Sequence, residues 1–140
     1  KISEKFDKDG KAIKDLAVVS IDMDELKYIN DTFGHNEGDN AIKELATCVD
    51  NALNPGEFVA RMGGDEFEVV LVLNEPGRVG KFIRSVRNNI REVNQAQMYQ
   101  FERSASIGTC DLNDWHEVAE CMKKADKAMY LEKKAKKKNR

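Results

Sequence analysis

Cysteine is scarce in this chain. Its three cysteines, Cys48, Cys110 and Cys121, are odd in number, widely spaced and form no CxxC pair, so neither a disulfide framework nor a Cys/His metal site fits. Cys48 and Cys121 fall in helical apolar patterns, and reduced thiols in a cytoplasmic protein are the expectation. Long hydrophobic runs are missing too. Nothing approaches eighteen apolar residues and no signal-peptide segment opens the chain, which points to a soluble domain. Neither sign of charge prevails. With 23 Lys and Arg against 25 Asp and Glu, the formal net charge of -2 gives no global signal for nucleic acid or an anionic membrane, and no nucleic-acid partner is expected. Internal repeats and low-complexity stretches are lacking apart from one basic run, Lys133 to Arg140, read as a solvated helix end. Proline occurs twice, at Pro55 and Pro76, each followed by a glycine.

What is present suffices for one domain, since 140 residues at 41% hydrophobic can bury a real core. Residues 1–140 are read as that single domain, its start at Lys1-Ile2-Ser3 trimmed from a larger protein. In the polar first fifteen residues, Asp7-Lys8-Asp9-Gly10 reads as a surface turn, because Lys5 and Leu16 stand where a calcium loop needs acidic ligands. Residues 16–21 form a continuous apolar run, as expected of a central strand buried on both faces. Asp24 then reads as the cap of a short helix through Leu26, Ile29 and Asn30, which Gly34 ends in the left-handed conformation. A second helix over 39–53 follows from the stripe Ile42, Leu45, Ala46, Val49, Ala52 and Leu53, with Asp39 a candidate N-cap. Asn54-Pro55-Gly56 stops it. Runs at 57–61 and 68–73 read as a hairpin with Gly63-Gly64 at the tip, and a chain break at residues 74–77 precedes a helix marked by Val79, Phe82, Ile83, Val86, Ile90 and Val93. A strand over 101–111 follows, where Gly108 suggests a tight neighbour or a bulge. The last helix runs from about Asp114 through Val118, Met122, Ala125 and Met129.

The order β-α-α-β-β-α-β-α is an α+β arrangement, a ferredoxin-like βαββαβ core with two added helices around an antiparallel central sheet. In that plan the first and third strands are adjacent, central and antiparallel. Asp22 closes the first and Asp65-Glu66 opens the third, so three distant carboxylates meet at one sheet edge. Like charges so gathered drive protons back onto one another unless a cation neutralises them, and oxygen donors suit a hard one such as Mg²⁺, which usually arrives with phosphate. Alone, Gly63-Gly64-Asp65 is also an ordinary hairpin turn.

The run Asp22-Met23-Asp24-Glu25-Leu26-Lys27-Tyr28-Ile29-Asn30-Asp31-Thr32-Phe33-Gly34-His35-Asn36-Glu37-Gly38-Asp39 resembles the pattern DxDxFKxxNDxxGHxxGD. Gly63-Gly64-Asp65-Glu66-Phe67, Ser106-Ile107-Gly108 and Ala125-Asp126-Lys127-Ala128-Met129-Tyr130 follow in the order of three further motifs. Together they resemble the GGDEF family of diguanylate cyclases, whose fold is similar to the palm of nucleotidyl cyclases and polymerases. The resemblance implies condensation of two GTP into cyclic di-GMP and pyrophosphate, across a transient homodimer whose active-site faces meet. It implies Mg²⁺ (or Mn²⁺) held by Asp22, the Met23 carbonyl, Asp65 and Glu66, with Asp65, Glu66 and Lys27 in the catalytic group. Glu66 beside the metal is also a candidate to deprotonate the attacking hydroxyl. Gly63 and Gly64 would let backbone approach the nucleotide. Asn30 and Asp39 match guanine readers, a carboxylate accepting from both guanine N1–H and its 2-amino group. Lys27, with the Glu25 and Leu26 amides at a helix start, would bind phosphate. His35, after Gly34, reads as structural.

Three departures qualify the match. The terminal pattern AKxxGR stands here as Glu132-Lys133-Lys134-Ala135-Lys136-Lys137. Lys133 takes its lysine position and Lys137 its arginine, keeping the charge but losing the two-pronged grip on phosphate. The RxxD inhibitory site is replaced by Asn54 and Glu57, so tight feedback by cyclic di-GMP is not expected. The N-terminal DxLTGLxNR segment is missing, and with it part of the expected pocket wall and the usual link to flanking sensor or phosphodiesterase domains. A second reading stays open: a GGDEF domain that binds GTP as a regulatory signal without condensing it.

Overall fold

A computed structural model describes residues 2–138; Lys1, Asn139 and Arg140, at the outer ends of the expected trimmed start and basic run, lie outside the described residues. After a 3-10 turn at Ile2–Lys5 come β1 (Lys11–Met23), α1 (Leu26–Phe33), α2 (His35–Asp50), β2 (Phe58–Arg61), β3 (Glu66–Val72), α3 (Arg78–Gln97), β4 (Ala105–Asp114), a second 3-10 turn at Trp115–Glu117 and α4 (Val118–Lys138). The strands form a four-stranded sheet in the order β2-β3-β1-β4, each neighbouring pair antiparallel. The expected element order and the central β1–β3 pair are both present.

Strand alternation sends successive side chains of β1 to opposite faces. Ala17, Val19, Ile21 and Met23 join Phe67, Val69 and Leu71 of β3 under α2 and α3, where Ile42, Leu45, Val49, Phe82, Val86 and Ile90 complete the larger core. Leu16, Val18, Val70 and Leu112 form a smaller core under Cys121 and Ala125 of α4. Burial on both faces explains the unbroken apolar run in β1. Along the α4 face that run gives way to polarity. Ser20 lies opposite Glu68, and Asp22 lies between Glu66 on β3 and Ser106 on β4. The close approach expected at Gly108 is real, since a Cβ there would lie 2.1 Å from the Ala125 carbonyl oxygen and 2.2 Å from the Met129 nitrogen.

Several expected boundaries are corrected. β1 begins at Lys11 rather than Leu16, because the polar stretch pairs by backbone, Lys11 opposite Asp114 and the Leu73 amide donating to the Asp15 carbonyl over 2.8 Å. Asp24 does not cap α1; Glu25 takes the cap position in the left-handed conformation, φ 59°, with no side-chain cap bond. Gly34 has positive φ but an extended ψ of 159°, so the chain turns straight into α2. Helix α2 therefore starts at His35, which removes the N-cap reading of Asp39 and puts His35 in a helix rather than a turn. It ends at Asp50 rather than Leu53. β3 starts at Glu66, two residues early. β4 starts at Ala105 rather than Phe101, because Asn94 binds the Arg103 backbone through both its amide and its carbonyl. Asp114 ends β4 and caps the 3-10 turn, accepting from the His116 amide, so α4 begins only at Val118.

Candidate active site

The polar end of the α4 face gathers the expected acids. Asp22 and Glu66 are register partners across β1 and β3, and the Met23 amide donates to the Asp65 carbonyl over 3.1 Å. The Lys133 ammonium, from α4, lies 3.1 Å from Asp22 Oδ2 and donates to the Met23 carbonyl over 3.0 Å. Asp22 Oδ1 is buried and has no hydrogen-bond partner among the described residues. Burial pushes the Asp22 carboxyl up to about 6, against the pull of Lys133 and with added repulsion from Asp65. Burial likewise pushes Glu66 up to about 7, helped by Asp126 on α4 and then by Glu68 and Asp65. Glu68 is raised by burial too, although the Ser20 hydroxyl donates to it over 3.0 Å.

This donor set is all oxygen, from carboxylates and one carbonyl, which matches a hard cation. Among the described residues no three His, Cys, Asp or Glu side chains converge into a metal cage. A cation held by Asp22, the Met23 carbonyl and Asp65 would complete its shell with phosphate and water oxygens, the habit of magnesium. The orphaned Asp22 oxygen and the ammonium already seated on two of these donors both fit a demand for positive charge.

Beside the acids lies a cavity of about 170 Å³, walled by the segment 23–27, Asp65, and Lys133, Lys136 and Lys137 of α4. The first turn of α1 borders it, and first-turn amides lack intrahelical partners. Lys27 is on the wall but its side chain is 90% exposed and pairs with Asp31 over 2.9 Å. Asp24 is buried as the loop's anchor, accepting from the Ser104 and Ser106 hydroxyls over 2.6 Å each and from Lys136 over 2.7 Å. Burial alone would raise its carboxyl; these bonds outweigh it and hold Asp24 below the usual range.

A family model of the diguanylate cyclase GGDEF domain matches residues 1–140. The chain belongs to the GGDEF family. It is 33% identical over 125 residues to the diguanylate cyclase DgcP of Escherichia coli, an alignment covering 88% of this chain and 37% of that protein. It is 35% identical over 121 residues to the diguanylate cyclase DosC of Shigella sonnei, covering 84% and 26%. The chain thus spans well under half the length of these relatives. Among solved structures, the GGDEF domain of TpbB (also YfiN) from Pseudomonas aeruginosa aligns with a TM-score of 0.75 at 30% identity, covering 87% of this chain and 73% of that one.

The GGDEF motif itself forms the β2–β3 tip. Gly63 has φ 145°, which favours glycine, and a Cβ on either Gly63 or Gly64 would meet nothing within 4 Å. Arg61 holds the tip, its guanidinium donating to the Gly63 carbonyl over 3.2 Å and to that of Gly64 over 2.5 Å. Asn30 and Asp39 lie apart from the cavity wall, on facing helices. A Cβ on Gly38 would stand 1.7 Å from Asn30 Oδ1, so α1 and α2 touch where these two residues sit. Glu57, at the replaced inhibitory position, is buried in an ion pair with Arg78 at 2.5 Å and also accepts the Asn54 and Val72 amides.

Sequence reasoning missed Lys136, Asp126 and Arg61. For Lys136 a signal existed: residues 133, 136 and 137 share one helix face with the buried Met129, so the basic run is a directed face and not wholly a solvated end.

Proposed function

We propose that this GGDEF domain is a diguanylate cyclase that condenses two GTP into cyclic di-GMP, releasing two pyrophosphates. In each half-reaction a ribose 3′-oxygen bonds to the other nucleotide's α-phosphorus, the bond to the bridging oxygen of pyrophosphate breaks, and the hydroxyl proton passes to a base. The observation that carries the reading is the meeting of Asp22, Asp65 and Glu66 at one sheet end, beside a cavity walled by three lysines of α4.

Magnesium or manganese, held by Asp22, the Met23 carbonyl, Asp65 and Glu66, would supply the Lewis acid that draws charge off the reacting phosphate. The chain's own groups do the rest. Lys133, Lys137, Lys27 and the α1 amides at Glu25 and Leu26 bind the phosphates, with Gly63 and Gly64 keeping the tip backbone bare toward the nucleotide. Asn30 and Asp39 read the guanine edge. Glu66, beside the metal, is also a candidate to take the hydroxyl proton. The described residues gather one such site, so the second GTP comes on a second copy, its active-site face opposed to the first. Flanking sensor or phosphodiesterase domains belong to the same proposal, as does a cytoplasmic setting; among the described residues no helix is long and apolar enough to cross a membrane.

Incubation with GTP and Mg²⁺, read by mass spectrometry, is expected to yield cyclic di-GMP. Asp65→Ala should abolish product while leaving the fold intact by circular dichroism. Undiminished turnover in that variant would refute the assignment of the acidic site.

A further inference from the structure

We propose that Lys136 is a positioning residue of the phosphate pocket: its ammonium neutralises the Asp24 carboxylate in the pocket wall and fastens it to the start of β4. The inference rests on the reading of that pocket as a triphosphate site. The pattern AKxxGR has glycine at this place, so the resemblance assigns Lys136 no role.

Asp24 is 4% exposed and borders the cavity. Two of its three side-chain partners, the Ser104 and Ser106 hydroxyls, are neutral. They stabilise the anion without cancelling its charge. Lys136 supplies the cancelling charge, 2.7 Å from Asp24 Oδ2. The same ammonium donates to the Ala105 carbonyl over 2.6 Å and lies 3.5 Å from Glu132 Oε1, so its position is fixed by acceptors on the segment before α1, on β4 and on α4 itself. Asp24 in turn ties down the segment before α1, its amide donating to the Ser104 carbonyl over 2.9 Å. The next residue, Glu25, is held at φ 59°, a conformation non-glycine residues rarely adopt and that persists only where the surroundings impose it. Asp24, held by its partners, lies immediately before it.

An uncompensated carboxylate in the wall of a pocket for a polyanion repels the ligand, and the low dielectric of a half-buried site strengthens the repulsion. A neighbouring groove of about 300 Å³, between α3 and β4, is also bordered by Lys136, together with Arg87 and Arg91. The ammonium thus stands at the partition between the two hollows, and it turns toward Asp24.

The test is titration calorimetry with Mg·GTP, inorganic triphosphate and guanosine as separate probes, each variant first checked by thermal melting. Lys136→Met should weaken Mg·GTP and triphosphate by about tenfold, the scale of one unscreened charge at this range, and leave guanosine unchanged. Lys136→Arg should bind like the parent. The double variant Lys136→Met with Asp24→Asn should recover most of the lost affinity, because the repelling charge has gone with its counter-charge. A merely structural lysine would instead weaken all three probes alike, with no recovery in the double variant. That pattern, or a Lys136→Met protein that binds triphosphate normally, overturns the proposal. If the parent binds triphosphate but not GTP, the guanine reading fails while the Lys136 pattern is still measured on triphosphate. If it binds neither, both fall.

Discussion

At the scale of single residues, two carboxyls set how the protein responds to acid. Asp22 and Glu66 have folded-state values of about 6 and about 7, above their ordinary values of 3.8 and 4.5. A carboxyl raised in this way favours the folded state while it is protonated, so its contribution is complete below the unfolded value and is lost as pH rises through the folded one. In nucleotide-free, metal-free protein the melting temperature should therefore fall between pH 4 and about 7.5, most steeply from about 4.5 to 6, where both groups are protonated in the folded state and ionised in the unfolded one. Glu66→Gln should flatten the upper part of that slope, and an unchanged profile would show that Glu66 does not carry it. Gly38 is the other informative residue. In Gly38→Ala the new methyl must displace the Asn30 carboxamide, whose Oδ1 it would meet at 1.7 Å. A side-chain end can swing away, so stability should change little while selectivity for GTP over ATP falls. Competition binding measures it, and unaltered selectivity would take Asn30 out of guanine reading.

At the scale of elements, the sequence was readable wherever burial imposed a period. The stripe of α3 and the apolar run of β1 are where the pattern put them, because each buries a face against the sheet or both faces within it. Boundaries were lost where polar side chains bond across elements. Asp24 looked like a helix cap from its place in the chain, yet its oxygens go to Ser104 and Ser106, some eighty residues away, and nothing local signals that. Asp39 looked like a cap because α2's apolar stripe begins late, while the helix starts at His35 on backbone bonds alone. The placement of Asp22 beside Glu66 was legible because strand order forces it, whereas Asp126 joins Glu66 only through the docking of α4. That docking rests on Gly108. Gly108→Ala would drive a methyl against the α4 backbone at about 2 Å, where no flexible side chain can yield, and should cost about 1–3 kcal/mol as overpacking does. Urea denaturation measures it. Because α4 also carries Lys133, Lys136 and Lys137 to the cavity, GTP affinity should fall in the same variant, and a loss of stability with full GTP affinity would mean that α4 holds its lysines without β4.

At the scale of the molecule, the proposed reaction has a requirement that a single copy cannot meet. The described chain gathers one acidic centre, bordered by one lysine-walled cavity, whereas the product needs two phosphodiester bonds made symmetrically between two nucleotides. In the proposed reaction each 3′-hydroxyl must reach an α-phosphorus held elsewhere, which calls for two loaded copies facing each other, the isologous contact of a two-fold pair. Feedback is a separate matter: with Glu57 bonded to Arg78 and to two backbone amides, its carboxylate is committed within the fold. The pairing leaves a kinetic signature. At protein concentrations below the dissociation constant of the loaded pair, dimer grows as the square of total protein, so turnover per chain should rise in proportion to concentration and then level off. Initial rates at saturating GTP and Mg²⁺, taken over a wide dilution series, test this directly. Specific activity that stays constant across the whole series, together with a monomeric mass in light scattering, would mean that one chain does the chemistry alone, and the opposed-face arrangement would have to be abandoned.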